Sequence, residues 1–261
     1  MSQNSSNEPI QVKKTIRRSW REWAMIIVLP VWVLVSFVAA QQITVGVLWV
    51  LEALHVPVSS INQNVLTTVL SVFIYLVAIA LTIGLPWFIK RQRVTREDLG
   101  IHRLPLWKDI LMAPAGLVVY LILSGLLMLI AGALVPSFNA NQQQATGFAG
   151  LGQQYELILA FITLVVIAPV AEEILFRGYL FNKLRKYVPV WAAILATSIL
   201  FGFIHGAWNL AIDTFALSVV LCWLRLNTGS LWASMLLHMT KNAIAFFILF
   251  VYPVLHGTIG S

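Results

Sequence analysis

Seven residues in the second half of the chain combine reactive side chains with spacings that bring them together. Glu172 and Glu173 are adjacent in AEEILFRGYLF (171–181), and Arg177 follows Glu173 by four positions. FGFIH places Phe201 and His205 four apart, and HMTKN does the same for His238 and Asn242. On a helix, residues four apart are neighbours, whereas adjacent residues point about 100° away from each other. Glu173 is therefore expected to pair with Arg177. Glu172 has Phe176 at the equivalent place and no ionic partner on its own helix. An unpaired, partly desolvated carboxylate suits a general base. His205 can help Glu172 to hold a water, and His238 and Asn242 can donate hydrogen bonds to an oxyanion. Each such donor is worth about 2.7 to 4 kcal/mol. The chemistry this set can perform is hydrolysis by an activated water.

Two other uses of the same residues remain open from the sequence. Glu172, His205 and His238 together form a possible metal set, since two histidines and a glutamate with an open fourth position hold zinc in some hydrolases. The H-E-x-x-H spacing of one helix is absent, however. A blander possibility is that His238 and Asn242 merely tie helices together, at about 0.6 kcal/mol on average. Four such residues on three separate stretches, beside E-E-x-x-x-R, favour a shared cavity, because intramembrane polar groups face the bundle interior or a wet recess.

The elements that must position these residues are membrane helices. The chain has 261 residues, of which 59% are hydrophobic and 10% charged, against about 25% charged in a soluble domain. Uncharged apolar runs exceed the roughly 20 residues that cross a bilayer, and only helices satisfy their own backbone there without closing a barrel. The expected fold is all-α, a polytopic bundle of seven or eight spans. Seven segments run approximately over 23–50, 65–89, 109–135, 157–182, 190–208, 210–226 and 231–252. The first is longer than a simple span and is read as one span with an interfacial extension. FVAAQQ within it also resembles a signal-peptide cleavage site, but the polar leader and the apolar stretch continuing to Val50 favour an uncleaved anchor. The organisation is a basic N-terminal segment (1–22), N-terminal helices and loops (23–156), a core carrying the reactive residues (157–252) and a tail (253–261).

The net charge of +7 is gathered at Lys13–Arg21, Lys90–Lys108 and Arg177–Lys186, while loops 55–64 and 136–155 carry no Lys or Arg. This is the positive-inside pattern, with a cytoplasmic N-terminus, and the basic clusters touch anionic lipid headgroups. Membrane lipids are the expected partners; nucleic acid is not needed to explain the charge. Cys222 lies alone in a span and cannot form an intramolecular disulfide. Trp20, Trp23, Trp107, Trp191 and Trp232 fall near predicted interfaces, as aromatic belts do. His55, His102 and His256 lie in loops or ends, Asp213 near a helix start and Lys241 beside Asn242; none is placed in the reactive set. With residue 186 on the cytoplasmic side, Glu172 and His238 fall towards the inner leaflet, whereas His205 lies about 24 Å along its helix at 1.5 Å per residue. This mismatch in depth requires a fifth helix that starts well outside the membrane, a tilted one, or other boundaries for the segment.

E-E-x-x-x-R, F-x-x-x-H and H-x-x-x-N, in that order over about 90 residues, resemble the motifs of the CPBP family. These are the type II CAAX prenyl proteases and their bacterial relatives, often called Abi proteins. NTGSLWASMLLHMTKN (227–242) also resembles the family's approach to its last motif, and the likeness covers roughly 157–250. The resemblance implies an intramembrane endopeptidase of a bacterial plasma membrane, acting on a peptide or membrane-protein substrate. Glu172 would be its base with His205 on the water, and His238 and Asn242 would stabilise the oxyanion, supported by Glu173, Arg177 and Phe201. Such enzymes are commonly labelled metalloproteases, though a metal-free glutamate mechanism is also argued, so the cofactor is either none or zinc. Some relatives are non-catalytic scaffolds or bacteriocin-immunity proteins. A small-solute transporter is the third class, disfavoured because no half-to-half repeat is present.

Overall fold

The computed structural model describes residues 19–255 except 92, 141, 143–145 and 149. Among the described residues all regular structure is helical. α1 (Trp20–Ala53), α2 (Gln63–Ile89), α4 (Trp107–Leu134), α5 (Gln154–Leu184), α7 (Trp208–Thr228) and α8 (Trp232–Val251) are each long and apolar enough to cross a membrane. α6 (Val190–Phe203) is apolar but shorter, and α3 (Arg96–Leu99) is a single turn in the basic loop. These match the seven expected segments. α1 is one unbroken helix of 34 residues, about 51 Å long. It thus exceeds a hydrocarbon core of about 30 Å without being split in two. His256 and most of the basic N-terminal segment lie outside the described residues.

The fifth segment needs correction. It ends at Phe203 rather than 208, so His205 sits in the turn beyond the helix. Gly206, at φ +78°, makes that turn possible and α7 begins two residues later. At 14 residues, α6 rises about 21 Å, less than a hydrocarbon core of about 30 Å. The expected mismatch in depth is resolved at Glu172 rather than by the length of α6. α6 carries His205 up from the basic face to the level of Glu172, which lies about 18 Å from the end of α5 at Leu184 on that same face.

Four π-helical stretches occur among the described residues; Ile174–Phe181 in α5 is followed by no proline, whereas Ala80–Gly84, Ile162–Ile167 and Phe247–Val251 are each followed two residues later by one: Pro86, Pro169 and Pro253. The wider turn redirects the ladder and proline then removes a donor, leaving a carbonyl for other helices. In α5, the Ala168 amide bonds the Thr163 carbonyl in the π register. The partner of Leu164 would be Pro169, which has no N–H, and the free carbonyl accepts from Asn242 of α8 at 2.8 Å. In α2, Trp32 of α1 donates through its indole to the Thr82 carbonyl at 3.2 Å.

Two packed cores flank the site. One joins α1, α2, α5 and α6 through Leu29, Val33, Ala78, Leu175, Phe176 and Phe201; the other joins α4, α7 and α8 through Ala113, Tyr120, Leu217, Leu221, Ala233 and Leu237. Small residues such as Ala113, Ala216 and Ala233 bring these helices close, as expected where packing rather than solvent exclusion drives association.

The basic loop 91–106 is bound against the helix ends. The Gly100 carbonyl accepts from the Leu231 amide (2.9 Å) and the Ser230 hydroxyl (3.2 Å), and the Asp98 carbonyl accepts from Asn182 (2.8 Å) and Arg225 (3.2 Å). Trp232 donates to the Arg103 carbonyl at 2.6 Å, so it pins this loop rather than serving in an aromatic belt. Trp20, Trp23, Trp107 and Trp191 are exposed, in keeping with the expected belt. Gly100 holds φ +80°, and a Cβ there would lie 2.6 Å from Arg225 Cζ. Gly100→Ala is expected to lower stability by about 1 to 3 kcal/mol through backbone strain and the displaced guanidinium. A drop in melting temperature in detergent is the readout; an unchanged melting temperature would show that the loop is not seated as described.

Candidate active site

The four expected reactive residues meet in one cavity of about 220 Å³, which is also lined by Tyr75, Leu164, Ala168, Thr214 and Lys241. α5 supplies Glu172, the turn after α6 supplies His205, and one face of α8 supplies His238 and Asn242.

The two glutamates occupy different environments. Glu173 and Arg177 are completely buried, and Arg177 Nη1 donates to Glu173 Oε1 at 2.8 Å. The Arg177 guanidinium lies over the Phe201 ring, 4.3 Å from its centroid. This aromatic face supports the two guanidinium nitrogens that make no conventional hydrogen bond. Phe201 also meets His205 and His238 edge-on, at 4.8 and 5.9 Å between centroids. Its place in the motif is thus to pack three polar groups against one ring.

Glu172 faces the cavity and accepts a hydrogen bond from Tyr75 of α2 at 2.7 Å. His238 bridges the two carboxylates: Nδ1 is 3.1 Å from Glu173 Oε1 and Nε2 is 3.7 Å from Glu172 Oε2. An ionised carboxylate only accepts, so Nδ1 carries the hydrogen shared with Glu173. Glu173 is therefore more than a counter-ion for Arg177, because it also fixes the ring of His238. His205 directs Nδ1 at the Phe201 carbonyl, 2.6 Å away, which makes Nδ1 the donor and leaves the Nε2 lone pair for a water. Asn242 spends one amide hydrogen on Leu164 and retains another.

Behind the cavity wall, Lys241 pairs with Asp213 at 3.1 Å, and Asp213 also accepts from Tyr120 (2.6 Å) and Ser124 (2.7 Å). Lys241 thus has an acidic partner within the protein, and Asp213 is bound to three side chains from α4 and α8. This network fixes α8 one residue before Asn242.

Among the described residues no group of three His, Cys, Asp or Glu side chains is arranged to hold a metal ion.

Residues 154–244 match the family model described as type II CAAX prenyl endopeptidase, Rce1-like. The resemblance read from the motifs holds over this segment. Over 94 residues the chain is 33% identical to an Escherichia coli protein described only as an uncharacterized 24.3 kDa protein, an alignment covering 34% of this chain and 43% of that relative. The chain therefore spans less than half the length of that relative. No solved structure matches the chain.

Sequence reasoning did not find Tyr75, which lies 97 positions from Glu172. Its one signal was a hydroxyl inside an apolar span, in VFIYLVAIA. A hydrogen bond to a charged group is worth about 1.5 to 3 kcal/mol. Tyr75→Phe is expected to cut turnover roughly 10- to 100-fold and to lower stability by no more than about 1.5 to 3 kcal/mol. Full turnover in this variant would remove Tyr75 from the site.

Proposed function

We propose that the protein is an intramembrane endopeptidase in which Glu172 activates the attacking water. The observation that carries this reading is the separation of the two carboxylates: Glu173 is consumed by Arg177 and His238, while Glu172 opens onto a cavity shared with His205, His238 and Asn242. The match of the same segment to the CAAX endopeptidase model supports it.

Glu172 takes a proton from water as the oxygen attacks the peptide carbonyl, and His205 Nε2 accepts the water's second hydrogen bond. The oxyanion that forms is met by the free amide hydrogen of Asn242. Nδ1–H of His238 is committed to Glu173, which holds the ring with Nε2 on the Glu172 side, beside the developing oxyanion. The proton held by Glu172 then passes to the leaving amine, and the C–N bond breaks. No step requires a metal, so chelation with EDTA is expected to leave turnover unchanged. Loss of activity that returns on adding zinc would contradict this mechanism.

Two variants separate the glutamates. Glu172→Gln keeps the shape and removes the base, so turnover should fall by about 10² to 10⁴ at unchanged melting temperature. Glu173→Gln leaves Arg177 buried and unpaired, at a cost of about 3 to 5 kcal/mol. Adding Arg177→Met to Glu173→Gln should restore part of the stability but not the activity, because His238 still lacks its carboxylate. Melting temperature and peptidase activity per molecule in detergent measure both effects. If Glu172→Gln melts early while Glu173→Gln is stable and inactive, the roles are reversed. A Glu172→Gln protein that keeps full biological activity would instead favour a non-catalytic membrane role.

A further inference from the structure

Another cavity, of about 290 Å³, lies where loop 91–106 meets the ends of α5 and α7, and it shares no residue with the reactive one. Asn182, Arg185 and Lys186 line it from the end of α5, Arg225 from the last turn of α7, and Glu97 and Asp98 from α3.

Arg225 is buried there without a counter-ion. It is only 6% exposed, and among the described residues no carboxylate pairs with it. Its one hydrogen bond runs from Nη2 to the Asp98 carbonyl at 3.2 Å, and Nε is buried with no partner. Burying an ion costs several kcal/mol, which a single carbonyl does not repay. Holding the loop does not require a charge either, because Asn182 binds the same Asp98 carbonyl at 2.8 Å with a neutral amide. The fold nonetheless makes room for the guanidinium, which lies against Gly100 where a Cβ would come within 2.6 Å of Cζ.

The neighbouring cations are oriented rather than neutralised. Asn182 Oδ1 accepts from Arg185 Nε (3.0 Å) and Nη2 (2.7 Å), which fixes one edge of that guanidinium and leaves its other N–H groups uncommitted. Lys186 approaches Asp98 only to 3.9 Å, and the Asp98 carboxylate is already engaged by Thr95 as the cap of α3. Arg185, Lys186 and Arg225 set against Glu97 and Asp98 leave one positive charge over.

We infer that this cavity binds a phosphate group, carried by a lipid headgroup or free in solution, with Arg225 as the buried anchor and Arg185 and Lys186 as exposed donors. Planar guanidinium groups match phosphate oxygens two at a time, and a charge-assisted bond of that kind supplies what Arg225 lacks. The single surplus charge suits a phosphate diester, as in a glycerolipid. The cavity also lies at the ends of two membrane-crossing helices, which is the depth of the headgroups. The inference does not depend on the peptidase reading, since a phosphate here seats loop 91–106 whether or not Glu172 is catalytic.

The test uses the purified full chain, stripped of lipid, in an uncharged detergent at constant ionic strength. Dioctanoyl phosphatidylglycerol, inorganic phosphate and dioctanoylglycerol are titrated separately, and the melting temperature is read at each concentration. Phosphatidylglycerol is expected to raise it saturably and dioctanoylglycerol to leave it unchanged. Arg185→Gln, at an exposed position, should weaken the apparent Kd about tenfold or more. Arg96→Gln, equally basic and exposed but outside the cavity, should change it by less than about threefold. Arg225→Met should abolish the shift; if it does not fold, Arg185→Gln against Arg96→Gln decides. A shift with inorganic phosphate as well as with the lipid assigns the site to the phosphate group itself, and a shift with the lipid alone assigns it to a headgroup. No shift with either, or equal weakening by Arg185→Gln and Arg96→Gln, overturns the inference.

Discussion

An ion pair with both side chains completely buried sets the terms for the rest of the structure. Removing Glu173 and Arg177 from water costs several kcal/mol per ion, and only close geometry with further hydrogen bonds repays it. The surroundings supply that repayment: the Phe201 face under the guanidinium, and His238 on the same carboxylate oxygen as Arg177. The pair binds α5 to the last turn of α6 through Phe201, and to α8 through His238. The position of His238 thus follows from neutralising one charge, and the carboxylate next to it is left facing the cavity.

Backbone geometry completes the positioning. A proline after a π-helical stretch costs a helix hydrogen bond, and in α5 this exposes the Leu164 carbonyl to Asn242. α8 is fixed at that point from one side, and through the Lys241–Asp213 pair from the other. The active face of α8 is therefore aligned by polar contacts to α4, α5 and α7, in an environment where apolar contact alone would not distinguish one helix rotation from another. The short α6 ends at the cavity, so that a turn residue, His205, rather than a helix side chain lines it there.

Much of this was legible in the sequence. Apolar runs gave the helices, and the four-residue spacings gave the Glu173–Arg177 pair and the common face of His238 and Asn242. The contacts that escaped were long-range: Tyr75 with Glu172, His238 with Glu173, and loop 91–106 with Leu231 and Arg225. Such pairs leave no period in the sequence, because they depend on the order in which helices pack. The early end of α6 was missed for a different reason. FGFIHGAWN remains apolar past Phe203, and only Gly206 marks the turn. Trp232 was assigned to the interface on composition, although its indole is bonded inside the protein.

The central claim is that Glu172 activates a water and does not itself bond to the substrate. Hydrolysis of a cleavable peptide under single-turnover conditions in oxygen-18 water tests it directly, with mass spectrometry of the product and of the protein. Water attack predicts one heavy oxygen in the new carboxyl group from the first turnover and none in the segment containing Glu172. A light first-turnover product, with heavy oxygen in Glu172, would mean that the glutamate attacked as a nucleophile and would contradict the account.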